Sequence, residues 1–322
     1  MYLNVERKQI YATTAGKPFD LSQPSVVFVH GAGMDQSVWA LQSRYLAYHG
    51  HNIFALNLPG HGRYAEHKTK ESSGTGFKVA PKHLDKHWIS AKLSLSAKPA
   101  YSEGAPRASI TEIADWLPKF FDAAGLKKPL LVGHSMGALA AMECAARHPE
   151  RVSKLALLGA APSMSVHPAL LEAAKNDDHL AYELVTAWGH GPSGHFGGNR
   201  APGLWMMGNA IQIMARSATK VLYVDLLACD VYAAGLEAAA KVSCPTLVIA
   251  GRADRMSPAK AAAQLAAAMP DATLVTLPDC GHMMMAEKPD ATLDALIEFF
   301  NRRAAVVEGP RDSGKGSGLG HS

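Results

Sequence analysis

The chain has 322 residues, 48% apolar and 19% charged, with a net charge of +4. That is too hydrophobic for a disordered chain and enough for a sizeable core in one large α/β domain or two small ones. Mean hydropathy is −0.03, no run approaches the ~18 apolar residues of a membrane span, and the opening Met1–Lys8 lacks the basic-then-apolar order of a secretory signal. Tyr2–Val5 and Gln9–Tyr11 read as an antiparallel edge hairpin. Ser25–His30 (SVVFVH) and Ile53–Asn57 (IFALN) are short apolar runs without alternation, the pattern of strands buried on both faces. An amphipathic helix, Val38–Tyr48, separates them. From His67 to Ser109 eight Lys or Arg residues face three acids, so this stretch carries +5 and the remainder about −1. No aromatic interleaving or binding motif makes it a nucleic-acid site, and it reads as a solvated loop.

Ile110–Ala123 follows a capping-box pattern, Ser109-x-x-Glu112, and Pro118 is expected to kink it. Strand Pro129–Gly133 precedes the Ala-rich helix Met136–Arg147, and strand Lys154–Leu158 (KLALL) follows. Ala160–Lys241 is mostly helical in pattern, with a Gly-rich interruption at Gly189–Gly203. Strand Pro245–Ala250 leads to helix Pro258–Ala268, where Ser257 would cap and Pro258 would take the first helical position. Strand Ala272–Leu277 and helix Asp290–Arg302 close the fold, and the Gly/Ser-rich 307–322 reads as a disordered tail. Strand–helix alternation of this length predicts an α/β fold with a mostly parallel, doubly wound sheet.

Chemistry concentrates at the ends of these strands. Gly133-His134-Ser135-Met136-Gly137 fits G-x-S-x-G between a strand and a helix, where a tight turn lifts a nucleophilic serine above the sheet. The competing reading is an ordinary helix-capping serine. A serine needs a positioned base. Asp254 follows strand Pro245–Ala250 and His282 follows strand Ala272–Leu277, so both emerge at the same sheet edge as Ser135. His282 would be the general base and Asp254 the carboxylate that orients it; a turn-forming or helix-capping Asp and a core or loop His are the alternatives. His30-Gly31-Ala32-Gly33 follows the first buried strand. The Ala32 and Met136 N–H groups are the expected oxyanion donors, and His30 is expected to brace the loop. Substrate-pocket candidates are Gly31, His134, Trp188, Trp205, Met206 and Met283, because methionine and tryptophan make adaptable apolar walls.

His30–Gly33, Leu58-Pro59-Gly60-His61-Gly62, Gly133–Gly137, Gly251-Arg252-Ala253-Asp254-Arg255 and Cys280–Pro289 together resemble the α/β-hydrolase superfamily. The resemblance is to its small esterase, haloperoxidase-like and carbon–carbon hydrolase branch, and it spans roughly Ser25–Asn301. It implies an α/β-hydrolase fold with an eight-stranded sheet, a Ser-Asp-His triad and a helical cap inserted after the sixth strand. The core would be 1–159 and 242–306, the cap 160–241, with 67–109 as a basic insertion. Asn57 departs from the Asp usual in that turn. A serine nucleophile argues for acyl transfer and against the dehalogenases and epoxide hydrolases of this fold, which use Asp there.

The expected activity is cleavage of carboxylic esters or related acyl substrates. Carbon–carbon or enol-lactone hydrolysis, perhydrolysis and non-catalytic ligand binding stay open. A carboxylated substrate would need a cation, for which Arg200, Arg216 and Arg252 are candidates. No cofactor and no metal are expected: G-x-G-x-x-G and phosphate-loop patterns are absent, and a metal site on His190 and His195 is disfavoured. The partner is a small molecule, with no nucleic acid and no membrane span. Cys144, Cys229, Cys244 and Cys280 form neither a CxxC pair nor a disulfide scaffold, which suggests a cytoplasmic setting.

Overall fold

The computed structural model describes residues 1–62, 101–195 and 205–302. The expectations for 67–100, for Arg200 and for the tail 307–322 lie outside the described residues. The strands are β1 (Tyr2–Val5), β2 (Lys8–Thr13), β3 (Ser25–Val29), β4 (Asn52–Leu56), β5 (Leu130–His134), β6 (Lys154–Leu158), β7 (Thr246–Gly251) and β8 (Ala272–Leu277). Around them stand α1 (Ala40–Tyr48), α2 (Ile110–Ala123), α3 (Met136–Arg147), α4 (Pro168–Lys175), α5 (His179–Gly189), α6 (Pro192–His195), α7 (Met206–Ala215), α8 (Val221–Asp230), α9 (Gly235–Lys241), α10 (Ala259–Ala267), α11 (Met284–Glu287) and α12 (Pro289–Asn301).

The strands form one eight-stranded sheet in the order β1-β2-β4-β3-β5-β6-β7-β8. β1 and β2 pair antiparallel, β2 joins β4 antiparallel, and every pairing from β4 to β8 is parallel. β4, β5 and β7 are buried along their whole length, which is why their sequences carry no alternation. Two apolar cores cover the faces. One packs α2 and α3 through Trp116, Phe120 and Leu139; the other packs α1, α12 and the helices after β6 through Trp39, Leu170 and Phe299. Parallel strands place all their C-terminal ends on one edge, so the loops after β3, β5, β7 and β8 converge there. The six helices α4–α9 lie between β6 and β7 in the chain.

Two local expectations change. Residues 101–109 are not part of a solvated loop. Tyr101 bridges Gly62, and Ser102 is fully buried, accepting Tyr11 N–H and donating to Asn57 O. The chain thus returns to the point where it left, and Ser109 then caps α2 by accepting Glu112 N–H. Pro118 lies inside α2, which continues to Ala123. At α10 the N-cap is Pro258, with no side-chain cap; the Ser257 hydroxyl is engaged elsewhere, as described below.

Candidate active site

Ser135 sits between β5 and α3 with φ 53° and ψ −120°. This is left-handed backbone, which costs a side-chain-bearing residue of order 1–3 kcal/mol and persists only where its surroundings enforce it. Neighbouring glycines permit the turn. A Cβ on Gly133 would stand 2.2 Å from Gly137 O, and one on Gly137 would stand 2.5 Å from His30 O. Although Ser135 occupies the N-cap position of α3, its side chain makes no capping hydrogen bond. The hydroxyl is therefore not used in the way the capping alternative requires.

His282 reaches the same edge from the loop after β8 and is 3% exposed. Its Nδ1 stands 2.8 Å from Asp254 Oδ2. Its Nε2 is buried and has no hydrogen-bond partner. The backbone is held on both sides: His282 N–H donates to Gly189 O at 2.9 Å, and His282 O accepts from His134 Nε2 at 2.9 Å. A Cβ on Gly159 (φ +60°) would lie 3.0 Å from the imidazole Cε1, so the ring rests against bare backbone.

Asp254 is 5% exposed and uses both oxygens. Oδ1 accepts the Met256 and Ser257 N–H groups, an Asx turn, while Oδ2 accepts from Ser257 Oγ and from His282 Nδ1. Both readings of this residue, turn former and imidazole partner, describe it at once. Burial raises its pKa most, but the charge and hydrogen bond of His282, together with Ser257, outweigh burial and hold it below the ordinary aspartate value. His134 takes the opposite course. Burial first, and the neighbouring His282 second, push it down to about 3. It is a neutral ring that donates through Nε2.

The oxyanion candidates also lie here. Ala32 lines the cavity described next, and Met136 is the first residue of α3, where helix N–H groups lack intrahelical acceptors. Among the described residues neither the Ala32 nor the Met136 N–H donates to a backbone carbonyl. His30 braces this loop. It accepts Leu58 N–H on Nε2 and donates from Nδ1 to Gly31 O, and burial, followed by the nearby His61, holds its pKa well below the histidine range.

A cavity of about 360 Å³ opens beside Ser135 and His282. Its walls are largely apolar, from Met34, Leu170, Val185, Trp188, Leu226 and Met283. Gly31 and His134, two of the pocket candidates, border it. Trp205 and Met206 do not: Trp205 is 68% exposed and precedes α7 on the outside. Of the expected cations, Arg216 donates to Gln212 O on its own helix and Arg252 stays off the cavity wall. Among the described residues, Arg255, one residue beyond Asp254, is the arginine that lines it. Sequence reading passed over Arg255, although its place next to Asp254 was a usable signal. It also passed over Ser257, Gly159 and the cavity-lining Val185 and Leu226, whose helical spacing looks the same whether they face a core or a cavity. Among the described residues no group of three or more His, Cys, Asp or Glu side chains stands in a metal-holding arrangement, and no helix is long and apolar enough to cross a membrane.

The sequence model of the Alpha/beta hydrolase family matches residues 26–295. Pimeloyl-[acyl-carrier protein] methyl ester esterase of Aromatoleum aromaticum is 28% identical over 285 residues, covering 84% of this chain and 95% of that protein. The 2-hydroxy-6-oxo-6-(2'-aminophenyl)hexa-2,4-dienoic acid hydrolase of Metapseudomonas resinovorans is 27% identical over 184 residues, 56% of this chain and 62% of that one. Among solved structures, the enol-lactonase from Burkholderia xenovorans superposes with a TM-score of 0.74 at 19% identity, covering 94% of this chain and 100% of that chain. The fold is that of the enol-lactonase.

Proposed function

The chain belongs to the alpha/beta hydrolase family, and from that premise we propose that it cleaves carboxylic esters through a Ser135–His282–Asp254 triad. The observation that carries this reading is the asymmetry of His282. One ring nitrogen is held 2.8 Å from a carboxylate, while the other is desolvated, unpartnered and beside the cavity that Ser135 lines. An imidazole arranged so is a base awaiting a proton donor.

In the proposed reaction a rotation of the Ser135 side chain brings Oγ to His282 Nε2. The hydroxyl attacks the ester carbonyl as Nε2 takes its proton. The tetrahedral oxyanion is received by the Ala32 and Met136 N–H groups, donors of the kind worth about 3–4 kcal/mol each in the transition state. The imidazolium, steadied by Asp254, protonates the departing alcohol. Water then repeats the sequence on the acyl-enzyme. No step requires a cofactor. We read α4–α9 as the cap that supplies most of the apolar wall, which suits a substrate with an apolar acyl group. The four cysteines are all unpaired and buried, which supports a reducing, cytoplasmic setting.

The test is a fluorophosphonate probe together with a panel of p-nitrophenyl esters. Covalent labelling at Ser135, lost in Ser135→Ala along with nearly all turnover, is the expected result. A folded wild-type protein that takes no label would instead favour a non-catalytic ligand-binding protein. Perhydrolysis would use the same groups with peroxide as the acyl acceptor.

One observation favours a second reading, hydrolysis of a carbon–carbon bond or an enol lactone. Such substrates of ring cleavage carry carboxylates, and Arg255 is a cation that lines the cavity. Under this reading Arg255→Ala raises KM for dienoates and carboxylated lactones only, and leaves uncharged esters unchanged.

A further inference from the structure

His61 and Asp225 form a buried pair that the proposed reaction does not use. His61 Nε2 lies 2.7 Å from Asp225 Oδ2, and each side chain is 1% exposed. His61 Nδ1 lies 3.0 Å from Pro59 O. With Asp225 ionised, the carboxylate and the carbonyl can only accept, so both ring nitrogens donate and the ring is an imidazolium. Burial pulls its pKa down, but the charge and hydrogen bond of Asp225 outweigh burial and raise it. A buried ion pair is weak support for stability, because desolvation offsets the attraction. Its worth lies in the geometry it enforces.

That geometry concerns the loop after β3. The same oxygen, Asp225 Oδ2, also accepts Gly33 N–H at 2.8 Å. The other side of Gly33 is engaged too: its carbonyl accepts from Ser217 Oγ at 3.5 Å, just before α8. Gly33 sits at φ +66°, and a Cβ there would meet Leu222 Cδ1 at 2.8 Å, so the loop is pressed against the face of α8 that carries Leu222 and Asp225. The His30 ring, 4.8 Å from that of His61, ties the start of the loop to Leu58. Three separate segments, the loop 30–33, the turn 58–62 and helix α8, thus meet on one carboxylate.

We propose that Asp225 is a positioning residue: with His61 as its fixed counter-ion, it holds Gly33 and thereby aims the adjacent Ala32 N–H at the oxyanion. The inference rests on the serine-hydrolase reading for its catalytic consequence. It makes the helices between β6 and β7 part of the catalytic geometry as well as a wall. Withdrawing α8 removes the acceptor for Gly33 N–H and releases the loop.

The test uses the full-length protein, p-nitrophenyl butyrate and amide exchange at Gly33 followed by NMR. In the wild type, Gly33 N–H is expected to be protected despite lying in a loop; free exchange there overturns the proposal without any variant having to fold. In Asp225→Asn, which keeps the side-chain shape but not the charge, exchange at Gly33 speeds up. Its kcat falls about 10- to 100-fold, the cost typical of a misaimed catalytic group, and KM stays within about threefold, because the oxyanion forms only in the transition state. A kcat within twofold of wild type overturns the proposal, and so does a lower kcat with unchanged exchange at Gly33. If the wild type neither turns over esters nor takes the fluorophosphonate, the hydrolase reading fails on its own, and exchange at Gly33 still decides whether Asp225 anchors the loop.

Discussion

Ser257 Oγ lies 2.8 Å from Asp254 Oδ2, so the hydroxyl that local sequence would assign to capping α10 instead steadies the carboxylate facing His282. The same Oγ is 3.2 Å from His282 Nδ1. A short-range rule yields here to a longer-range arrangement, in which the Ser257 hydroxyl adds a charge-assisted hydrogen bond to a buried carboxylate in place of one helix cap.

This arrangement separates two substitutions. Asp254→Asn keeps the shape but turns the imidazole to the wrong tautomer, and kcat should fall on the order of 10⁴-fold. Ser257→Ala removes a supporting hydrogen bond, and a roughly 3- to 10-fold loss is expected, in line with ~1 kcal/mol for one such bond. Steady-state kinetics on p-nitrophenyl butyrate decide both. Near-normal turnover in Asp254→Asn would move the acid to another residue.

Gly159→Ala should injure turnover more than folding. The left-handed backbone costs an alanine roughly 1–2 kcal/mol. The new methyl also presses on the His282 ring, 3.0 Å from Cε1, which must give by a few tenths of an ångström, a fraction of the ~1 Å misplacement that costs up to about 100-fold in rate. The expected pattern is a kcat roughly 3- to 10-fold lower with Tm reduced by a few degrees. An unchanged kcat would show that the imidazole does not need that seat.

Stability should fall on the acid side because of His134. Unfolded, this ring takes its proton near the ordinary 6.5; folded, it refuses the proton until about 3. Between these values the unfolded chain binds more protons, so unfolding becomes easier as pH drops through that window. His30, also held low by burial, acts in the same direction. Urea midpoints measured from pH 7 to pH 4.5 should decline, with a shallower slope in His134→Gln. Parallel slopes in the two proteins would contradict the buried neutral ring.

The segment 63–100 should be replaceable. Gly62 and Tyr101 already face each other in an antiparallel bridge, so a short Gly/Ser linker can join them with little closure cost. The shortened protein should keep its circular-dichroism spectrum and measurable ester turnover. A deletion extended to residue 109 should not fold, because it removes the buried Ser102 and the Ser109 cap. A folded product from the longer deletion would show those contacts to be dispensable.

The order of the strands, and of the helices α1, α2, α3, α10 and α12, was legible in the residues alone, whereas 160–241 read only as mostly helical. Strands buried on both faces read as unbroken apolar runs, as in Val26–Val29 and Leu247–Ala250, and α2 declared its start through Ser109 and Glu112. The positions of Ser135, Asp254 and His282 after parallel strands were legible for the same reason, since such strands end at one edge. Only the tertiary structure decided which of many similar side chains meet there. It selected Arg255 over Arg216 and Arg252, kept Trp205 out of the cavity, set Ser257 on Asp254, and joined Gly33, His61 and Asp225 across more than 160 positions of chain. Local periodicity reports burial, whereas those pairings depend on how elements distant in the chain pack, and no local pattern carries that information.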